Sequence, residues 1–290
     1  MIPMANETVP RTVPSTRPRS HDGEPAFLVV ARFELLRQFR RRRFLILLVI
    51  AAILVLLLFV VLQVFGFSGG DAYSYASSYG GQVTILAALA ATFFGADALV
   101  GEFEHHTGYL LFPQPVTRRS IFLGKLLSAF ALTSLTLAAY YGIVAIATGV
   151  VKGSVPVEIG YSLLLAILYA TAALGVAFFL SSALRSTTMS SVLTFAVLFF
   201  VLAIVTTIFS VAGVRPDGNL AFAGGTISNI LSGPFPEGYP GDTVVPIGPG
   251  GQTFRLFSPA VPISIVVMAI WAVVGFGLAL LIYQRREMKG

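Results

Sequence analysis

The sequence predicts an all-α polytopic membrane protein: six transmembrane helices preceded by an N-terminal amphipathic interfacial helix. Three observations lead there. Of 290 residues, 56% are hydrophobic and only 11% charged, against roughly 25% charged in soluble domains. Six apolar stretches are long enough to cross a bilayer, which takes about 20 residues each. The cations then sort by side. Arg11, Arg17, Arg19, Arg32, Arg37, Arg40 to Arg43, Arg118, Arg119, Lys125, Arg185, Arg285, Arg286 and Lys289 fall on one side, and only Lys152, Arg215 and Arg255 on the other. Sixteen of the nineteen on one side predicts both termini cytoplasmic, because basic loops stay inside. The net charge of +6 therefore encodes topology, and nucleic acid is not an expected partner. With no cysteine, disulfides and thiolate metal sites are excluded.

Residues 1–25 are rich in Pro, Thr, Ser and Arg and bury too little to order themselves, so they read as a disordered cytoplasmic tail. Residues 26–43 alternate apolar and polar positions: Phe33, Leu36 and Phe39 against Arg32, Glu34, Arg37 and Arg40. That pattern suits a helix lying in the headgroups, with Arg40 to Arg43 meeting anionic membrane lipid. The six-span domain follows over 44–286. Span 1 is expected at about 44–65. An outer loop with Tyr73, Tyr75 and Tyr79 comes next. Span 2 is expected at about 82–100, its small residues (Ala91, Gly95) allowing close helix approach. Asp97 near its inner end is costly unless it faces protein or water. Ala91, Gly95 and Asp97 are candidates for a transport path. Spans 3 to 5 are expected at about 121–151, 159–184 and 190–214. An outer segment, 215–258, leads to span 6 at about 259–283. Within that segment 219–233 is apolar enough for a short helix or two dipping into the interface.

The most polar stretch between spans is Gly101–Lys125, GEFEHHTGYLLFPQPVTRRSIFLGK. Glu102, Glu104, His105 and His106 invite a metal or acid–base reading. A helical zinc site needs histidines four apart, whereas adjacent ones diverge by about 100°. No further ligand set appears, so neither metal nor catalytic residues are expected. There is no GxSxG serine motif. Gly124-Lys125 resembles the end of a P-loop, but the required first Gly and following Ser or Thr are Arg119 and Leu126. No cofactor is expected in this chain; ATP and magnesium would belong to a partner. The remaining reading is mechanical. Pro113 and Pro115 stop a short helix-turn, Thr117 caps span 3, and Arg118 and Arg119 sit at the headgroups. A partner pressing on this hairpin would move two spans together. An ordinary capped loop, a membrane anchor that transports nothing, and a membrane-embedded enzyme are the alternatives.

The series Glu102, Thr107-Gly108, Leu110-Leu111, Pro115-Val116-Thr117-Arg118 and Gly124-Lys125 resembles the signature of ABC-2-type transporter permeases. The basic helix before span 1, the six spans and the long outer segment extend the resemblance over 26–286, with the NosY-like group of exporters the most similar. The resemblance implies a homodimer of permeases bound to separate ABC ATPase subunits in the cell membrane. The loop at 101–120 would be the coupling element, and Glu102, Glu104, His105, Tyr109, Arg118 and Arg119 its contacts with the ATPase.

Overall fold

A computed structural model describes residues 25–40, 42–65, 70–104, 117–247 and 252–286. Six helical segments are long and apolar enough to cross a membrane: 44–64, 72–102, 118–152, 158–183, 187–211 and 261–285. They are spans 1 to 6 below. The starts of spans 1, 3 and 5 and the ends of 2, 4 and 6 share one end of the bundle, the basic end.

The interfacial helix α1 (Ala26–Arg40) packs along span 3. Its buried stripe is Ala31, Glu34 and Gln38, spaced three and four apart so that they share a face. Phe33 is 69% exposed, and Leu36 and Phe39 also point outward. Arg32, Arg37 and Arg40 are exposed with them. Gly124 on span 3 makes the approach possible: a Cβ there would lie 2.6 Å from Val30 Cγ1 and 2.8 Å from the Phe27 carbonyl. Arg42 then turns the chain in a left-handed conformation (φ 58°) into α2 (Arg43–Val64), which is span 1.

Span 2 begins about ten residues earlier than expected. Its helix α3 runs Ala72–Gly95, so the Ser- and Tyr-rich stretch expected as outer loop is helical. The reason is internal satisfaction of its polar groups. Asp71 accepts from Ser74 N at 2.9 Å as an N-cap, and Ser77 and Ser78 donate back to Ser74 O. Tyr79 OH donates to Tyr75 OH, and Tyr140 OH from span 3 donates to Tyr79 O. After a break, a short helix α4 (Val100–Glu104) continues the path.

Span 3 is α5 (Arg118–Lys152), with Thr117 Oγ1 accepting from Ser120 N as its cap and Gly153 closing it at φ 70°. Span 4 is α6 (Glu158–Ala183). Spans 4 and 6 touch backbone to backbone, since a Cβ on Gly275 would stand 2.6 Å from Gly175 C. Span 5 is α7 (Thr187–Ala196), a π-helical turn (Val197–Val201) and α8 (Leu202–Val211).

The stretch 219–233 folds as α9 (Leu220–Gly224) and α10 (Thr226–Asn229). These helices are buried between spans rather than resting at an interface. Ser162 Oγ donates to Ile227 O and Tyr141 OH pairs with Ser162, both at 2.6 Å. Trp271 Nε1 donates to Gly218 O, and Asn219 Nδ2 to Leu202 O. Trp271 lies ten residues from the start of span 6 and Leu202 nine from the end of span 5, so the segment reaches about 14 Å along the spans, roughly half of the ~30 Å hydrocarbon thickness. A two-stranded antiparallel hairpin, β1 (Thr243–Ile247) with β2 (Gln252–Leu256), was not expected from the sequence. Arg215 pins its base, bonding Asp242 at 2.9 Å and Ser258 O at 3.0 Å. Span 6 is α11 (Val261–Arg285).

Candidate coupling site at the basic end

The site starts from an interruption. Between α3 and α4, residues Ala96 to Leu99 form turns, which frees backbone groups in apolar surroundings. Left unmatched there, such a group costs several kcal/mol. Three other spans supply partners. Ser181 Oγ of span 4 accepts from Leu99 N at 3.0 Å and Val100 N at 3.1 Å. Ser190 Oγ of span 5 donates to Ala96 O at 2.5 Å. Lys125 Nζ of span 3 donates to Ala98 O at 2.7 Å. The end of span 2 at the basic end is thus held by side chains of spans 3, 4 and 5.

Lys125 also centres a buried ionic knot. It is 4% exposed, and its ammonium lies 3.2 Å from Glu102 Oε1 and 3.6 Å from Glu34 Oε1. Glu102, 5% exposed, accepts at 2.6 Å from Tyr283 OH of span 6. Arg37 donates to Glu34 from the solvent side. Two carboxylates meet two cations, so the knot is balanced, and low polarity strengthens each contact. One cluster therefore joins α1, the end of span 2, the start of span 3 and the end of span 6. It lies close to Glu104 and Thr117, the described residues on either side of 105–116.

A second layer ties the helix ends. Arg118 Nη1 donates to Arg286 O at 2.9 Å and Gln284 O at 3.3 Å, neutralising the carbonyls that close span 6. Arg286 Nη1 donates to Ser182 O of span 4 at 3.0 Å. Burial lowers the pKa of Arg286, with the nearby Arg185 guanidinium a second cause. Glu104 Oε2 accepts from Thr187 N at 2.6 Å, placing a carboxylate at the N-terminus of span 5.

The structure thus distributes the residues named from sequence. Glu102 is turned inward, Arg118 is half-buried, and Glu104 and Arg119 are exposed. His105 and Tyr109 lie outside the described residues. On α1, Glu34 belongs to the knot and Arg37 to its rim, while Arg32 and Arg40 are exposed. Ala91 and Gly95 are buried in the bundle, and a Cβ on Gly95 would meet Ala177 Cβ of span 4 at 2.8 Å. That face of span 2 is filled by the chain's own span 4. Asp97 is half-buried within the interruption. Sequence reading missed Ser181, Ser190, Tyr283 and the counter-ion role of Lys125. A lysine seven residues inside an apolar helix was the available signal for the last.

No group of three or more His, Asp or Glu able to hold a metal occurs among the described residues. No curated protein matches the chain. The family model of ABC-2 family transporter proteins matches residues 28–288, a range that takes in all but the first two residues of α1, all six spans and the cluster at the basic end. The chain belongs to the ABC-2 transporter family, as a multi-pass membrane permease subunit that is not itself catalytic.

Proposed function

We propose that this chain is the transmembrane half of an ATP-driven exporter in the cell membrane, with both termini cytoplasmic. It works as a homodimer driven by separate ABC ATPase subunits docked on 101–120. The observation that carries this reading is Lys125 bridging Glu34 and Glu102. A force on the segment between Glu104 and Thr117 reaches α1 and spans 2, 3 and 6 through one buried cluster, so these elements shift as a unit. Glu104 and Arg119, exposed on either side of that segment, suit contact with the ATPase. Glu102 and Arg118 suit transmission behind it.

The test is co-expression of the full chain with candidate P-loop ATPases from the same genome, followed by purification of the chain. A stoichiometric complex is expected, its ATPase turnover lowered several-fold by Arg119→Glu while the complex still embeds in membrane. A chain that purifies alone, with no effect on any of these ATPases, would remove the coupling reading and leave a membrane anchor.

A further inference from the structure

A cleft of about 360 Å³ opens between α6, the π-helical turn of span 5 and α11. Val176, Leu180, Val197, Trp271, Val274 and Leu278 line it, and no charged side chain does. Its volume sits at the small end of ligand pockets, roughly 300–1,000 Å³. Val274 and Leu278 are exposed, so it opens sideways onto the apolar flank of the bundle. The π turn, a deviation that recurs at functional sites, places Val197 at its wall.

The cleft has two ends. Ile270 and Trp271, near the middle of α11, bound the upper one, where Trp271 Nε1 donates to the exposed Gly218 O. Below, Trp271, Val274, Leu278, Leu281 and Arg285 follow one another on one stripe of α11, at three- and four-residue spacing. Arg285 stands seven residues, about 10 Å, below Leu278. The next residue, Arg286, reaches across to Ser182 O at the end of α6. Arg185 lies just past that end, close enough for its charge to weigh on Arg286. An apolar slot whose lining ends near the middle of α11 therefore has three arginines at its mouth.

We propose that this cleft binds one anionic phospholipid of the leaflet at the basic end, with an acyl chain beneath Trp271 and the phosphate between Arg185, Arg285 and Arg286. A slot whose lining ends at Trp271, near the middle of α11, fits a tail from a single leaflet. A basic mouth at headgroup level selects an anionic head over a zwitterionic one. The site holds whether or not the chain exports anything.

Trp271 is the chain's one tryptophan and so reports on the cleft directly. The full chain is reconstituted in phosphatidylcholine vesicles carrying increasing fractions of phosphatidylglycerol brominated on its acyl chains. A second series carries brominated phosphatidylcholine. Bromine quenches tryptophan on contact. Brominated phosphatidylglycerol should quench at a lower fraction, by about five-fold per engaged arginine, and the difference should shrink as salt rises. The double variant R185Q/R285Q, altering two exposed side chains, should lose the preference while quenching by brominated phosphatidylcholine stays as before. Val274→Phe should reduce quenching by both lipids. Equal quenching by the two headgroups in the unaltered chain overturns the proposal in favour of ordinary boundary lipid. Absence of quenching overturns it in favour of protein filling the cleft. A preference that survives R185Q/R285Q overturns the role of the arginines, and one absent throughout, with ATPase binding lost in that variant, assigns them to an acidic protein surface.

Discussion

Lys125 lies seven residues inside span 3, too deep for its ammonium to reach the helix end, so its charge is met where it stands. Breaking a buried ion pair from one side leaves an uncompensated charge, at a cost of about 3–5 kcal/mol. Lys125→Met should therefore lower the unfolding midpoint in detergent strongly. Adding Glu34→Gln and Glu102→Gln should recover most of the loss, since the one charge left, on Arg37, is at the exposed rim and met by solvent. Equal midpoints for Lys125→Met and the unaltered chain would mean the knot holds nothing. Ser190→Ala removes the hydroxyl that donates to Ala96 O and should cost about 1–3 kcal/mol. Residue types were legible here, but their partners were not. Glu34, Glu102, Lys125 and Tyr283 are far apart in sequence, and only packing decides which carboxylate meets which cation. Lys125 was visible as the end of a Gly-Lys pair, and Tyr283 as one more aromatic in an apolar helix.

At the scale of elements, two glycines set how closely helices lie. A side chain at Gly124 would strike Val30 and the Phe27 carbonyl, lifting α1 off span 3. Gly124→Val should cost about 1–3 kcal/mol and open Arg32 and Arg37 to trypsin in right-side-exposed membranes; an unchanged digestion pattern would contradict the close packing. Gly275→Val meets backbone on Gly175 within the bundle, where neither span can lift away as α1 can from span 3, so its midpoint should fall further than that of Gly124→Val. Hydropathy alone located six spans to within a few residues at most ends. It failed at the start of span 2 because hydroxyl-rich sequence looks like loop until its internal bonds are known. It also left the β-hairpin unread, since Thr243–Ile247 and Gln252–Leu256 are short strands among many turn residues. The amphipathic character of α1 was plain, while the direction of its polar face was not: Glu34 and Gln38 point at span 3 rather than at water.

For the whole molecule, spans 2 and 4 form the centre and spans 1, 5 and 6 leave most of their surface uncovered. Ile204 and Ile208 on span 5 are prominently exposed. A second copy would find that face first, since span 2's small residues are already covered by span 4. The chain has no cysteine, so single-cysteine variants can be read cleanly. Oxidation of Ile204→Cys or Ile208→Cys in membranes should give a covalent dimer, and Val273→Cys on span 6 should give much less. Monomer at every span-5 position would argue against this homodimer.

The inward-facing polar stripe of α1 also bears on how the molecule is built during synthesis. Glu34 emerges 91 residues before Lys125 (125 minus 34), an interval of roughly 5–20 seconds at ordinary elongation rates of about 5–20 residues per second. For that time α1 has no span 3 to lie against and Glu34 no cation from it. The helix must wait at the membrane surface, held by its arginines and exposed phenylalanines. Its docking then signals that the third span has arrived in register, which makes α1, the first of the described helices, one of the later pieces to be locked in place.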